Sequence, residues 1–297
     1  MWIAENWKEY TVLDCSGGEK LERWGKYILV RPDPQVIWNT DKKNPGWKKN
    51  NGHYHRSAKG GGEWEFNGLP EEWSIDYDLR SAGKTLTFNL KPFAFKHTGI
   101  FPEQAVNWEW TSGIIKKAAA ERSERPRILN LFAYTGAASI AAASAGAYVT
   151  HVDAAKGMVQ WAKENAISSH VPDNGIRWIV DDCQKFVERE IRRGNTYDGI
   201  LMDPPSYGRG PKGEIWKIED AVYPLIKTAA ELLSDKPLFF LINSYTTGLQ
   251  PGVLSYMLNT AITDKRGGKA ESSEIGLPLE KSDRLVLPCG ACGRWVP

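Results

Sequence analysis

The 297-residue chain is poor in several features that would mark a specialised class of protein. It has four scattered cysteines, which suits a reducing compartment better than a disulfide framework. No apolar run approaches the roughly 20 residues of a membrane-spanning helix. The opening MWIAENWKEY has neither the basic tip nor the apolar stretch of a secretory signal. A cytoplasmic location is expected. Net charge is only +2, so any polyanion has to be gripped by a local patch rather than by the field of the whole molecule. Internal repeats and long low-complexity tracts are absent as well.

What is present divides the chain. Apolar (41%) and charged (25%) residues occur in ordinary globular proportions, but the 13 tryptophans are many for this length. Residues 1–90 carry short apolar runs (KYILVRP, QVIWNT, GEWEFNG, EEWSIDYDL, KTLTFNLKPF) punctuated by Gly, Pro and Asn, which predicts a small, mostly-β domain. From 127 to 297 the rhythm becomes strand then helix. RILNLFAY, AYVTHVD, IRWIVDD, YDGILMD and PLFFLINS read as strands, with helical stretches between and after them. Pro224 is expected to start or kink a second helical segment. Alternation of this kind predicts an α/β fold, a Rossmann-like doubly wound parallel sheet. The segment 91–126 holds too much Gly, Pro and His for a plain helix and too many aromatics for a solvated linker, so it is expected to face the site.

Ligands of an open α/β sheet sit beyond the carboxyl ends of its strands. FAYTGAAS follows the first strand with only Gly136 of a G-x-G-x-x-G fingerprint, so a pyrophosphate has no bare backbone to approach. Three later strands end on acids: Asp153, Asp182 and Asp203. The first suits ribose hydroxyls and the second an adenine amino group. Any one of these acids, taken alone, reads more readily as the N-cap of the next helix than as a ligand. As an ordered set they describe a pocket for a phosphate-free adenosine with a positive or zwitterionic tail, which is the chemistry of S-adenosyl-L-methionine.

LNLFAYTGAAS, THVDAAKG, WAKENA, IVDDCQKFV and DGILMDPPSYGRG together resemble the consecutive motifs of class I S-adenosylmethionine-dependent methyltransferases. The group that modifies bases of bacterial 23S ribosomal RNA is the most similar. FKHTGIFPEQ resembles the segment that precedes that group's catalytic domain, and the likeness extends over about residues 93–245. It implies that Phe132, Ala133, Tyr134, Thr135 and Gly136 wrap the methionine end of the cofactor. Asp153 with Ala154 would take the ribose, Asp182 with Cys183 would meet the adenine, and Phe101 and Gln104 would close the pocket. Asp203, Pro204, Pro205 and Tyr207 resemble the D-P-P-[YF] motif of enzymes that methylate a nitrogen, often of a base. Asp203 and the Pro204 carbonyl would hold a target amine, and Tyr207 would stack on an extruded base.

One departure narrows the reaction. Relatives that make 5-methylcytosine place a cysteine nucleophile after the next strand. This chain reads INSYTTG there, offering Asn243 and no thiol. A base nitrogen in ribosomal RNA is therefore the expected target. Lys48, Lys49, Arg56 and Arg209 are candidate RNA contacts, and the loop 41–62 offers Trp47 and Tyr54 for stacking. The same loop also reads as a solvated hairpin. CGAC near the carboxyl end has no second ligand pair, so no metal is expected. EREIRRG reads as a solvated helix end. The rival readings are a methyltransferase for a small molecule or a protein, a non-catalytic RNA-binding module with a vestigial pocket, and, more distantly, a dinucleotide oxidoreductase.

Overall fold

The computed structural model describes residues 1–57, 61–93, 96–209, 215–280, 282 and 284–297, with the Arg209 side chain left aside. Strands dominate the first ninety residues: β1 (Trp2–Ile3), β2 (Tyr10–Ser16), β3 (Glu19–Trp24), β4 (Tyr27–Pro32), β5 (Gly52–Arg56), β6 (Gly62–Phe66), β7 (Trp73–Leu79) and β8 (Lys84–Leu90). β2 to β6 form a five-stranded sheet in chain order, and β7 and β8 pair as a hairpin. QVIWNT, expected as one of the strand-like runs, forms no strand. It follows a turn at Pro34, and Ile37 is 89% exposed.

The expected α/β part follows. It comprises α1 (Ala105–Glu121), β9 (Arg127–Leu131), α2 (Ala137–Ser144), β10 (Tyr148–Asp153), α3 (Lys156–Ser168), β11 (Ile176–Val180), α4 (Cys183–Arg192) and β12 (Gly199–Met202). The short strands β13 (Tyr207–Arg209) and β14 (Ile215–Lys217) lead to α5 (Ile218–Ala230), β15 (Phe239–Ser244), α6 (Pro251–Leu258), β16 (Lys269–Pro278) and β17 (Val286–Val296). Pro224 lies inside α5 without dividing it, and Thr228 Oγ1 donates to its carbonyl at 2.9 Å. Among the described residues no helix is long and apolar enough to cross a membrane.

The large sheet has the order β1-β16-β17-β15-β12-β9-β10-β11, with β15, β12, β9, β10 and β11 all parallel. β17 runs antiparallel to both β15 and β16. β1 joins the far edge beside β16, although it lies within the first of the three segments read from the sequence. Two-residue periodicity sorts the central strands between two cores. Ile128, Leu201, Phe239 and Leu241 face one, while Leu129, Leu131, Ile200, Met202, Phe240 and Ile242 face the other. Burial on both faces makes these strands read as continuous apolar runs.

The first core continues without a break into the amino-terminal strands, through Trp108, Tyr77, Phe88, Tyr10 and Trp24. A buried ionic cluster ties that region to the site. Arg31 donates to Glu22 (Nε to Oε2, 2.6 Å) and, through Nη1, to the Lys96 carbonyl (2.9 Å). Lys96 Nζ answers with a bond to the Pro32 carbonyl at 3.0 Å. The chain from 96 to 104, which walls the site, is thus pinned to β4. Glu22 is held down at about 2: burial alone would raise it, but Arg31 and Lys20 overcome that.

Candidate active site

After β9, β10 and β11 the chain crosses back to place β12 on the other side of β9, so strand order reverses between β9 and β12. A ligand crevice belongs at that switch point. A cleft is found there, lined by Phe132 to Ala138 after β9 and by Leu201, Met202 and Asp203 at the end of β12. Ile100, Phe101 and Gln104 ahead of α1 and Asn107, Trp108 and Thr111 within it close the cleft, with Asn130, Leu241 and Asn243 on the sheet.

The β9–α2 turn is unusual. Phe132 (φ 56°) and Tyr134 (φ 49°) adopt left-handed backbone, a strained state for bulky residues, and Gly136 follows at 87°. The turn is held by partners rather than by propensity. Phe132 N–H donates to Cys183 Sγ (3.2 Å), and Tyr134 N–H donates to Asp153 Oδ2 (2.8 Å). Asp153 Oδ1 accepts from Ala155 N–H at 2.8 Å. Burial raises the Asp153 carboxyl, and these two amides pull it back down. Gly136 is required by packing as well as by φ, since a Cβ there would come within 2.8 Å of Ala162 Cβ.

Asp203 follows β12 directly, and desolvation pushes it up to about 7, with help from the buried Glu103. The Pro205 carbonyl is taken by the Trp216 indole at 2.6 Å, which props the turn beyond Asp203. Phe101 sits between Tyr134 and Tyr245 in tilted ring contacts, each centroid 5.6 Å away. Below lies an amide circuit. Arg294 Nη2 donates to Asn107 Oδ1 (2.6 Å), and Asn107 Nδ2 donates to Gln104 Oε1 (2.8 Å) and Asn243 Oδ1 (2.9 Å). Asn243 Nδ2 donates to the same Gln104 Oε1 (3.0 Å), and Gln104 Nε2 donates to Tyr245 Oη (2.6 Å).

Of the residues singled out from the sequence, Phe101, Gln104, Phe132, Ala133, Tyr134, Thr135, Gly136, Asp203 and Asn243 all line this cleft. Asp153 and Cys183 stand behind its turn, and Ala154 is exposed beside Asp153. Asp182 caps α4, its Oδ1 accepting Lys185 N–H at 2.9 Å. Pro204 is buried beside Asp203, Pro205 is exposed, and Tyr207 is 52% exposed on β13, outside the cleft lining. Arg209 belongs to β13, and its side chain lies outside the described residues.

Lys48, Lys49 and Arg56 are exposed in the amino-terminal sheet region. Their surroundings correct two expectations. The described part of 41–62 holds a short 3₁₀ turn and β5 rather than an open loop, and residues 58–60 lie outside the described set. Tyr54 is buried (4% exposed) against Trp64, and Trp47 donates to Asp14 Oδ2 at 2.8 Å, so Tyr54 cannot stack on a base. Glu190 of EREIRRG is likewise buried rather than solvated, accepting from Tyr197 Oη at 2.7 Å. Asn107, Thr111 and Asn130 escaped the sequence reading. The available signal was a polar residue inside an apolar strand (LNL) and two more at helical spacing.

The profile described as S-adenosylmethionine-dependent methyltransferase matches residues 45–247. The chain belongs to that family. A solved structure of a SAM-dependent methyltransferase from Agrobacterium tumefaciens is 35% identical, with a TM-score of 0.87 over 97% of this chain and 90% of that one. A structure from Streptococcus mutans, 20% identical with a TM-score of 0.72, covers 98% of this chain and 76% of its own, and shares the fold. Among curated proteins, ribosomal RNA large subunit methyltransferase K/L of Pseudoalteromonas translucida is 30% identical over 126 residues. That match spans 42% of this chain and 16% of the relative.

The bulky, left-handed Phe132 and Tyr134 keep the backbone away from any diphosphate. Asp153 offers a carboxylate whose amide bonds leave lone pairs for hydroxyls. The aromatic wall of Phe101, Tyr134 and Tyr245 suits a cationic sulfonium. The residues present fit S-adenosylmethionine.

Proposed function

We propose that this methyltransferase transfers a methyl group from S-adenosyl-L-methionine to a base nitrogen of ribosomal RNA, in the cytoplasm. The bound cofactor supplies a methyl activated by its sulfonium, and the chain's own contribution is alignment. Phe132 to Gly136 hold the methionine end, Asp153 the ribose, and Phe101 the open side. Asp203 accepts a hydrogen bond from the target N–H and orients the nitrogen lone pair toward the methyl. Tyr207, exposed on the rim, stacks on the base.

The observation that carries the reading is Asp203, a desolvated carboxyl at the switch-point strand end, followed by Pro204 and Pro205 and facing a turn strained by Phe132 and Tyr134. The thiols support nitrogen over ring carbon. Burial drives Cys183 and Cys289 far above the ordinary thiol range and Cys292 up to about 12, which suppresses the thiolate a carbon methylation needs. The amino-terminal segment 1–90 presents Lys48, Lys49 and Arg56 to RNA phosphates.

The test is nucleoside mass spectrometry of ribosomal RNA from cells lacking the gene, before and after incubation with the purified protein and cofactor. One N-methylated base should be missing and then restored. Asp203→Asn should lower kcat by about 100-fold or more while cofactor affinity stays within a few-fold. Removing Lys48, Lys49 and Arg56 together should weaken RNA binding and flatten its salt dependence. An unchanged nucleoside profile would favour a small-molecule or protein acceptor instead.

A further inference from the structure

Outside the cleft, the five-stranded sheet brings together a group of side chains that the methyl-transfer reading does not use. His53 and His55 sit at alternate positions of β5, so they share one face, while the intervening Tyr54 is buried on the other. Glu65 of β6 lies directly opposite His53 in the antiparallel register. The two imidazoles stack with centroids 3.9 Å apart, and His55 Nε2 is 2.9 Å from Glu65 Oε2. One ligand atom from each of His53, His55 and Glu65 falls within 4.8 Å of the others. From β3, Glu19 Oε1 lies 2.7 Å from His53 Nε2, and Lys42 Nζ donates to the same carboxylate at 2.9 Å.

We propose that His53, His55 and Glu65 bind a divalent zinc-class metal ion. Two imidazoles and a carboxylate are a borderline donor set, suited to Zn²⁺, Ni²⁺ or Cu²⁺ rather than to the all-oxygen cages of Ca²⁺ or Mg²⁺. A tetrahedral ion with bonds of about 2.0 Å needs ligand atoms roughly 3.3 Å apart, so small side-chain rotations close the group. Glu19 completes the arrangement. By accepting from His53 Nε2 it fixes the proton there and leaves Nδ1 with the lone pair a metal requires, the carboxylate–histidine–metal relay. Water fills the fourth position. The ion clips β6 and β5 together at a place where β5 is attached to β4 by only two paired residues, Leu29 with Gly52 and Val30 with His53.

Titration calorimetry of the full chain with Zn²⁺ at neutral pH tests this, with Co²⁺ absorption reporting the ligand geometry. One equivalent should bind and raise the melting temperature. His53→Gln/His55→Gln and Glu65→Gln should each abolish or severely weaken binding. Glu19→Gln, which removes only the outer partner, should loosen it by about 10–100-fold. Cys289→Ser/Cys292→Ser should bind as the wild type does. Glu19 and His53 are partly exposed and His55 and Glu65 exposed, so unchanged metal-free melting temperatures would show that their variants fold. Failure of the wild type to bind one equivalent, or wild-type affinity in the histidine variant, would overturn the assignment.

Discussion

Asp203 occupies a position that costs stability once its carboxyl is ionised. Its carboxyl titrates at about 7, far above the ordinary range, because it is desolvated beside Glu103. The folded protein therefore holds this proton more tightly than the unfolded chain does. Stability must fall as pH rises from about 4 to about 7, and it stays lowered above that. Asp203→Asn removes the penalty, so at pH 8 the variant should be more stable than the wild type by roughly 1–3 kcal/mol. At pH 4 the two should match. Activity should run the opposite way if Asp203 holds the target, because the ionised carboxylate is the stronger, charge-assisted acceptor and can take the proton the nitrogen loses. The wild-type rate should climb through pH 7, and the variant should be slow and flat. Urea unfolding at both pH values, with a pH–rate profile, would check the pair. Equal stability at pH 8 would mean that Asp203 is solvated and ordinary.

The turn from Phe132 to Gly136 is the most constrained element of the cleft, and it makes a second prediction. Gly136→Ala should cost about 2–4 kcal/mol, since it adds left-handed strain to a clash with Ala162 on α3. Because the turn lines the cleft, cofactor affinity should fall with the melting temperature. A variant that melts lower yet binds cofactor normally would separate the turn from the ligand. This turn was legible in the sequence because strand, glycine and alanine-rich helix succeed one another within a few residues. The central parallel strands were legible for a related reason, as both of their faces are buried and their runs are continuously apolar.

Other elements hid for physical reasons. α1 begins after Pro102 with no side-chain cap, and it buries Asn107, Thr111 and Ser112 among its apolar residues, which blurs the helical period. β16 and β17 are rich in Gly, Ser, Cys and Pro, and they become strands by pairing with each other, with β15 and with β1. Asp182 shows a limit of another kind. An acid at a strand end followed by a helix serves equally as a cap and as a ligand, and its carboxylate caps α4 here.

Across the whole molecule, β1 and β17 meet beneath the cleft and set its polarity. Arg294 on β17 lies under the Trp2 ring of β1 at 3.7 Å and near Trp110 of α1 at 4.8 Å. Arginine can only donate, so Asn107 must turn its oxygen toward Arg294 and its nitrogen toward Gln104 and Asn243. Gln104 Oε1 then receives two donors, which commits its nitrogen to Tyr245. One guanidinium thus dictates the orientation of three amides lining the cleft. Arg294→Met would leave Asn107 Oδ1 buried without its charged donor and remove the stacking. The expected cost is about 2–4 kcal/mol. With the amides free to flip, the cofactor KM should rise several-fold beyond what lost stability explains. Trp2→Ala provides the comparison, because it removes stacking but keeps every hydrogen bond. With the loss of its packing against the core it should cost about 2–3 kcal/mol and leave the cofactor KM unchanged. If both variants lower the melting temperature and neither moves the KM, Arg294 fastens the ends together without orienting the site.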